Sequence, residues 1–246
     1  LGSERQIYAY PTPAQTAEFV TRSIPNLVGR LPATRRDRVR GLGVAMPYKM
    51  WEWRPTISAP KGAMAVWRDH DLQGSLERLT GLPVFVQNDA SSACGAELLF
   101  GKGDRPQNFL YFYFGTFIGG GLVLDGQLYL GPTGNAAGVG SMPIPGGAKV
   151  RSLIDAASMQ SLADRMAEAG GSSDHLWDQP DVWHVSEPVL SAWIEEAAAG
   201  IAWATLSAAA LLELDRIVID GWMPPSVRAE IVSRTTEALG RLDLAG

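Results

Sequence analysis

The chain has very little of what builds covalent or metal-held scaffolds. Its 246 residues include one cysteine, Cys94, and three histidines. A single cysteine excludes an internal disulfide framework and a cysteine-based zinc site by arithmetic. Strong charge of either sign is also missing. The net charge of −5, with 19% charged residues, gives no electrostatic footprint for nucleic acid. The one basic cluster, Arg35-Arg36-Asp37-Arg38-Val39-Arg40, contains an acid and reads as a solvated helix end. No signal peptide pattern opens the chain. The longest apolar run, residues 200–212, is shorter than the ~20 residues that cross a bilayer. Acids flank it at Glu195, Glu196, Glu213 and Asp215, so it reads as a buried helix. These absences point to a cytoplasmic protein with no membrane partner and no 20–50-residue repeat.

What the chain has is glycine in one telling place. Between two strand-like runs stands Gly115-Thr116-Phe117-Ile118-Gly119-Gly120-Gly121. Four glycines in seven residues predict a turn with φ > 0 and close approach to a ligand. Successive N–H groups in such a turn can make an anion-binding concavity. A Rossmann fingerprint or P-loop would need a helix directly after the glycines. Here Leu122-Val123-Leu124 is β-prone, and Asp125-Gly126 is a hairpin signal. A phosphate cradle and a ligand-free bulged hairpin both remain open on this stretch alone.

Periodicity and punctuation predict α/β order with hairpins as well as crossovers. Strands are expected at residues 5–10, 39–45, 83–87, 109–114, 121–124, 127–130 and 216–220. Helices are expected at 14–31 (disturbed by Pro25), around Leu72, Leu76 and Leu79 with Gly81 as stop, from Asn88-Asp89 to about Phe100, and at 153–168, 189–214 and 226–239. Residues 48–60 read as a Trp- and Pro-rich loop, 131–147 as a Gly/Pro-rich loop, and 170–188 as a polar excursion. His175 and His184 within that excursion read as surface histidines.

Three stretches together resemble the ROK family of bacterial sugar kinases and transcriptional repressors. Gly81-Leu-Pro-Val-Phe-Val-Gln-Asn-Asp89-Ala-Ser-Ser-Ala is similar to the family's GlPV…NDAN segment. The glycine hairpin continuing to Gly126-Gln-Leu-Tyr-Leu-Gly131 is similar to GTGIGGG…dGklyrG. Leu214-Asp-Arg-Ile-Val-Ile-Asp-Gly221 looks like the adenosine-side strand. The resemblance implies an actin-like ATPase (RNase H-like) two-lobed fold. Residues 1–102 would form the N-terminal lobe and 103–225 the C-terminal lobe, with the final helix, about 226–246, a candidate to pack back on the first. It implies nucleotide phosphates over Gly115, Thr116, Gly119 and Gly120, and adenosine beside Gly221. It also implies a ligand held by Asn88, Asp89, Gly43, Gly134, Asn135 and Ser141. Asp89 would be the general base on a sugar hydroxyl if the protein is active.

Four departures redirect the functional expectation. The family's AGEiGH segment aligns with Ala136-Ala137-Gly138-Val139-Gly140-Ser141, so a glutamate and a histidine become Gly138 and Ser141. That removes two charge-assisted hydrogen bonds to sugar hydroxyls. The structural zinc motif needs three cysteines, and residues 143–152 have none, so no structural zinc is expected. The first phosphate loop, D-x-G-G-T, is not in the chain and is expected before Leu1; both termini read as parts of a longer protein. Met46 stands where a glycine is usual, and Trp51-Glu-Trp53 follows as a sugar platform or as packing.

The expectation is therefore the sugar- or small-molecule-sensing domain of a ROK-type regulator, a homodimer that reaches DNA only through an N-terminal helix-turn-helix domain before Leu1. The alternative is a sugar kinase using ATP and Mg.

Overall fold

A computed structural model describes residues 2–8, 10–52, 60, 62–104 and 106–242. The chain divides into two compact units, Leu1–Asp89 and Ala90–Gly246.

The first unit contains α1 (Pro13–Gly29), α2 (Ala33–Arg36), β1 (Leu42–Met46), α3 (Leu72–Thr80) and β2 (Val84–Asn88). Thr12 and Gln15 form a capping box that starts α1, and Pro25 is accommodated inside it. Asp71 caps α3 through the Gly74 N–H, and Gly81 at φ 67° ends it. β1 and β2 pair in parallel, Leu42 opposite Val84 and Met46 opposite Asn88. Leu72, Leu76, Trp67, Met50, Met64 and Val84 make the core, with Leu42, Val44 and Met46 against it. Trp51 packs there too, which is the packing alternative for this aromatic; Trp53 lies outside the described residues. Arg35, Arg36, Arg38 and Arg40 are all exposed, as a solvated cluster should be.

The strand expected at residues 5–10 is not formed at the described positions 5–8 and 10. Ile7 is 72% exposed. Among the described residues the β1–β2 pair has no third strand, and a segment without a ladder partner gains nothing from being extended.

The second unit runs through α4 (Asp89–Phe100), β3 (Phe109–Phe114), β4 (Ile118–Leu124), β5 (Gln127–Tyr129), β6 (Pro143–Gly146), β7 (Lys149–Ser152), α5 (Leu153–Ala156), α6 (Met159–Glu168), α7 (His175–Asp178), α8 (Glu187–Ala209), β8 (Arg216–Gly221) and α9 (Pro225–Arg241). Its main sheet has the order β5-β4-β3-β8, antiparallel except for the parallel β3–β8 pair. Asp125 (φ 50°) and Gly126 (φ 71°) make the two-residue turn between β4 and β5, the type that the Asp-Gly pair signals. One face of the sheet packs on α5, α6, α8 and α9 through Phe112, Phe114, Leu153, Leu162, Trp193, Ile201 and Ile231. On the other face Cys94 of α4 joins Phe109, Tyr111 and Val123.

Several expectations move. The two compact units divide after Asp89, while the lobes implied by the resemblance divide at 102; α4 beds on β4 within the second unit. The final helix buries Val227 and Ile231 in the core of the second unit; its expected last residues, 243–246, lie outside the described ones. The 131–147 loop contains a 3-10 turn at Val139–Ser141 and the strand β6. The helix expected at 153–168 is broken at Ala157-Ser158, where the Ser158 hydroxyl accepts the Ile118 N–H at 3.0 Å and donates to the Ile154 carbonyl at 2.7 Å.

The glycine stretch differs most. Gly119, Gly120 and Gly121 lie inside β4, paired with Tyr113, Phe112 and Tyr111, and the turn is Gly115-Thr116-Phe117. None of the four glycines has a positive φ. Their role is clearance. A Cβ at Gly121 would stand 2.2 Å from Cβ of Cys94, one at Gly119 2.7 Å from Cβ of Ala90, and one at Gly120 2.7 Å from the Ala137 carbonyl oxygen.

Gly121→Ala should therefore lower unfolding free energy by about 1–3 kcal/mol through overpacking, measured by urea denaturation. Burial first, and the Glu97 carboxylate second, push the Cys94 thiol up from 9.0 to about 12. The native state then holds a proton that the unfolded state releases. This stability is complete below pH 9 and is lost as pH climbs from 9 towards 12. The alkaline decline should be shallower in Cys94→Ala, whatever that variant's stability at neutral pH.

Candidate functional site

The expected site residues fall in both units, and each unit is taken by itself. In the first, β2 ends at Asn88 and Asp89 begins α4. Both side chains are half-buried. The Asn88 amide Nδ2 donates to Oδ1 of Asp89 at 3.3 Å, which orients the carboxylate. A negative charge in the first turn of a helix is also favoured by the helix dipole. Gly43 lies on the exposed face of β1 with Phe85 as its register partner on β2, and Phe85 is 69% exposed.

In the second unit the β3–β4 turn is tied down from several sides. The carbonyls of Gly115 and Thr116 accept the N–H groups of Met159 (3.2 Å) and Gln160 (3.0 Å), the first two residues of α6. The indole Nε1 of Trp177, on α7, donates to the Thr116 hydroxyl at 3.3 Å. Phe117 is half-buried in the turn. Gly221, at the end of β8, has φ 145°, and a Cβ there would stand 2.3 Å from the Phe114 carbonyl oxygen. That same carbonyl accepts the Trp222 N–H at 2.8 Å, so the end of β8 is fixed to the residue that opens the turn. Trp222 Nε1 donates to the Leu176 carbonyl at 3.1 Å. The structure thus brings Gly115, Thr116 and Gly221 together, with Trp177 and Trp222 bridging them through α7. No pattern in the sequence linked the two tryptophans to the turn.

A polar network that sequence reasoning also missed lies beside Gly221. The Tyr111 hydroxyl donates to Oδ2 of Asp220 at 3.1 Å, and Arg228 pairs with Oδ1. Burial, then the Asp220 carboxylate, drives the Tyr111 hydroxyl well above the usual tyrosine range. The one available signal was an acid closing an otherwise apolar strand.

The loop before β6 holds the remaining candidates. Gly134 is in the left-handed region at φ 75°, and Asn135 is exposed. Ala137 adopts φ 56°, a conformation uncommon for alanine, while its carbonyl passes Gly120. Gly138 and Ser141 are exposed.

No cluster of three or more metal-ligating side chains exists among the described residues. The β6–β7 hairpin contributes no thiol or imidazole, and Cys94 is buried against β4. The donors present do not fit a structural zinc. Of the two expected surface histidines, His184 is exposed and His175 is partly buried; their rings lie 5.8 Å apart, with Nε2 of His175 shielded from solvent and without a partner among the described residues. No helix among the described residues is long and apolar enough to cross a membrane.

The family model described as "ROK family" matches residues 2–229. The chain is 26% identical over 133 residues to a xylose repressor of Bacillus subtilis, covering 54% of this chain and 34% of the repressor. It is 35% identical over 133 residues to a glucokinase of Halalkalibacterium halodurans, covering 51% of this chain and 40% of the kinase. The matched region is thus well under half the length of either relative. Among solved structures it resembles a ROK family glucokinase from Streptomyces griseus in complex with glucose and AMPPNP, with TM-score 0.70, 20% identity, and coverage of 98% and 81% of the two chains. It also resembles a ROK family transcriptional regulator, a homolog of the E. coli MLC protein, with TM-score 0.62, 18% identity, and coverage of 94% and 62%. The fold is α/β, the actin-like ATPase fold of the ROK sugar kinases.

Asp220→Ala should lower stability by about 1–3 kcal/mol, because it strands the buried Tyr111 hydroxyl and frees Arg228. Chemical denaturation measures the loss. Ultraviolet titration should show the Tyr111 hydroxyl ionising at lower pH in the variant.

Proposed function

Because the chain belongs to the ROK family, we propose that it is the sugar- or small-molecule-sensing domain of a ROK transcriptional regulator, binding its ligand without phosphorylating it. One observation carries this reading. The exposed loop positions Gly138 and Ser141 supply no carboxylate and no imidazole, where a site that turns over sugar hydroxyls needs charged partners. The assigned ligand contacts are Asn88, Asp89, Gly43, Gly134, Asn135 and Ser141. Ligand-driven closure biasing a homodimer between DNA-binding states is the corresponding switch. DNA would be read by a helix-turn-helix domain N-terminal to these residues, in the cytoplasm. The similarity to a xylose repressor supports this reading.

A second reading is supported by Asp89, which keeps an oriented carboxylate at the start of α4, and by the similarity to a glucokinase. In that reading Asp89 takes the proton of a sugar hydroxyl as it attacks phosphorus. ATP and Mg would be held over Gly115, Thr116, Gly119 and Gly120, with adenosine beside Gly221.

Two measurements separate them. Under the sensing reading, D-xylose or D-glucose at about 100 times its dissociation constant raises the melting temperature by roughly 5–10 °C. With Mg-ATP added, ADP release stays at background. Sugar-dependent ADP release that Asp89→Asn abolishes would establish the kinase instead. No melting shift with any sugar or related small molecule would remove the sensing reading, and the absence of sugar-dependent ADP release would remove the kinase.

A further inference from the structure

The β6–β7 hairpin follows directly on the loop that carries Gly138 and Ser141. Its two strands pair Pro143 with Ser152 and Gly146 with Lys149, around Gly147 at φ 71°. The hairpin is four residues per strand, and a two-stranded ribbon of this size is not stable alone. Something must hold it, and the donors it offers fit no metal.

The holding surface is one face of α8. Gly200 lets the helix approach: a Cβ there would lie 2.9 Å from Cδ1 of Leu153 and 3.3 Å from Cδ1 of Ile144, the buried residue of the hairpin. Four residues earlier, on the same face, stands Glu196. Its Oε1 takes the guanidinium of Arg151 from β7, and its Oε2 takes that of Arg165 from α6. Arg151 also donates to the Asp155 carbonyl at 3.1 Å, which links the clamp to α5. Its stem lies across Gly146, where a Cβ would meet Cγ of Arg151 at 2.6 Å. Each of the three charged side chains is no more than 38% exposed. The hairpin's far end is closed by the Leu153 N–H donating to the Met142 carbonyl at 2.9 Å, one residue after Ser141.

We propose that Glu196 is a positioning residue for the 131–142 loop. Clamped between Arg151 and Arg165, it fixes the hairpin to α8 and thereby sets where Gly138 and Ser141 stand. The clamp does the mechanical work of a metal staple with charge alone. Its consequence for ligand binding rests on the sensing reading above; the clamp itself does not.

Amide hydrogen exchange read by mass spectrometry tests it in the whole chain. In the unaltered protein, EDTA and 1,10-phenanthroline should leave exchange across 131–152 unchanged. Glu196→Gln, which keeps shape and removes charge, should speed exchange in 131–152 roughly tenfold and leave β3 and β8 peptides as they were. Raising sodium chloride to about 1 M should produce part of the same acceleration in the unaltered protein and none in the variant. Arg151→Met, which removes the one arm that comes from the hairpin, serves if Glu196→Gln fails to fold and should accelerate exchange in the same region at least as much. Faster exchange on chelation, no change in 131–152 in either variant, or acceleration spread evenly over all peptides would each overturn the proposal. Titration with D-glucose and D-xylose, run alongside, reads the sensing function separately. If neither sugar binds the unaltered protein, sensing of these two sugars fails while the exchange data still decide the clamp.

Discussion

The second unit depends on how closely α4 can lie on β4. Gly119 and Gly121 present bare backbone to Ala90 and Cys94, and Gly120 presents it to the opposite side, where Ala137 and Val139 pass. Interiors are packed to crystal density, so a single methyl group at any of these positions has nowhere to go. The close approach places the start of α4, and with it the residue following Asp89, against the strand. It also lets the loop that carries Ala137 and Gly138 run along the other face.

The same device recurs at α8. Gly200 admits Leu153 and Ile144, and Glu196 on the same face adds charge to the contact. The β3–β4 turn is held by the first N–H groups of α6 and by Trp177. Gly221 extends this logic to β8, where bare backbone passes the Phe114 carbonyl. The β3–β4 turn and the end of β8 are thus held largely by main-chain contacts, with the Tyr111–Asp220–Arg228 set beside Gly221 and the Arg151–Glu196–Arg165 set on the β6–β7 hairpin as the side-chain networks.

Much of this was legible in the chain. The Asp125-Gly126 turn, the Gly81 stop and the strands expected at 109–114 and 216–220 follow local rules that act over a few residues; the second strand runs one residue further, to Gly221. Residues 5–8 and 10 carry a strand-like pattern but form no strand, because a ladder partner is a long-range property that a local pattern does not supply. The break at Ser158 within 153–168 has no local signal, because its hydroxyl serves Ile118, forty residues away. The approach of the His175 and His184 rings has no local signal, because only the folded excursion brings them together.

The glycine stretch separates the two sources of information. Sequence alone determined that its backbone would be approached closely, since no other residue leaves Cβ out, and it determined the family through three motifs in register. Only the tertiary structure decided what makes the approach. At Gly119 and Gly121 it is a helix, and at Gly120 a neighbouring loop; the turn proper is the three residues before Ile118. The reason is physical. A missing side chain is visible in one dimension, but the atom that fills its place comes from a distant part of the chain and is chosen by packing.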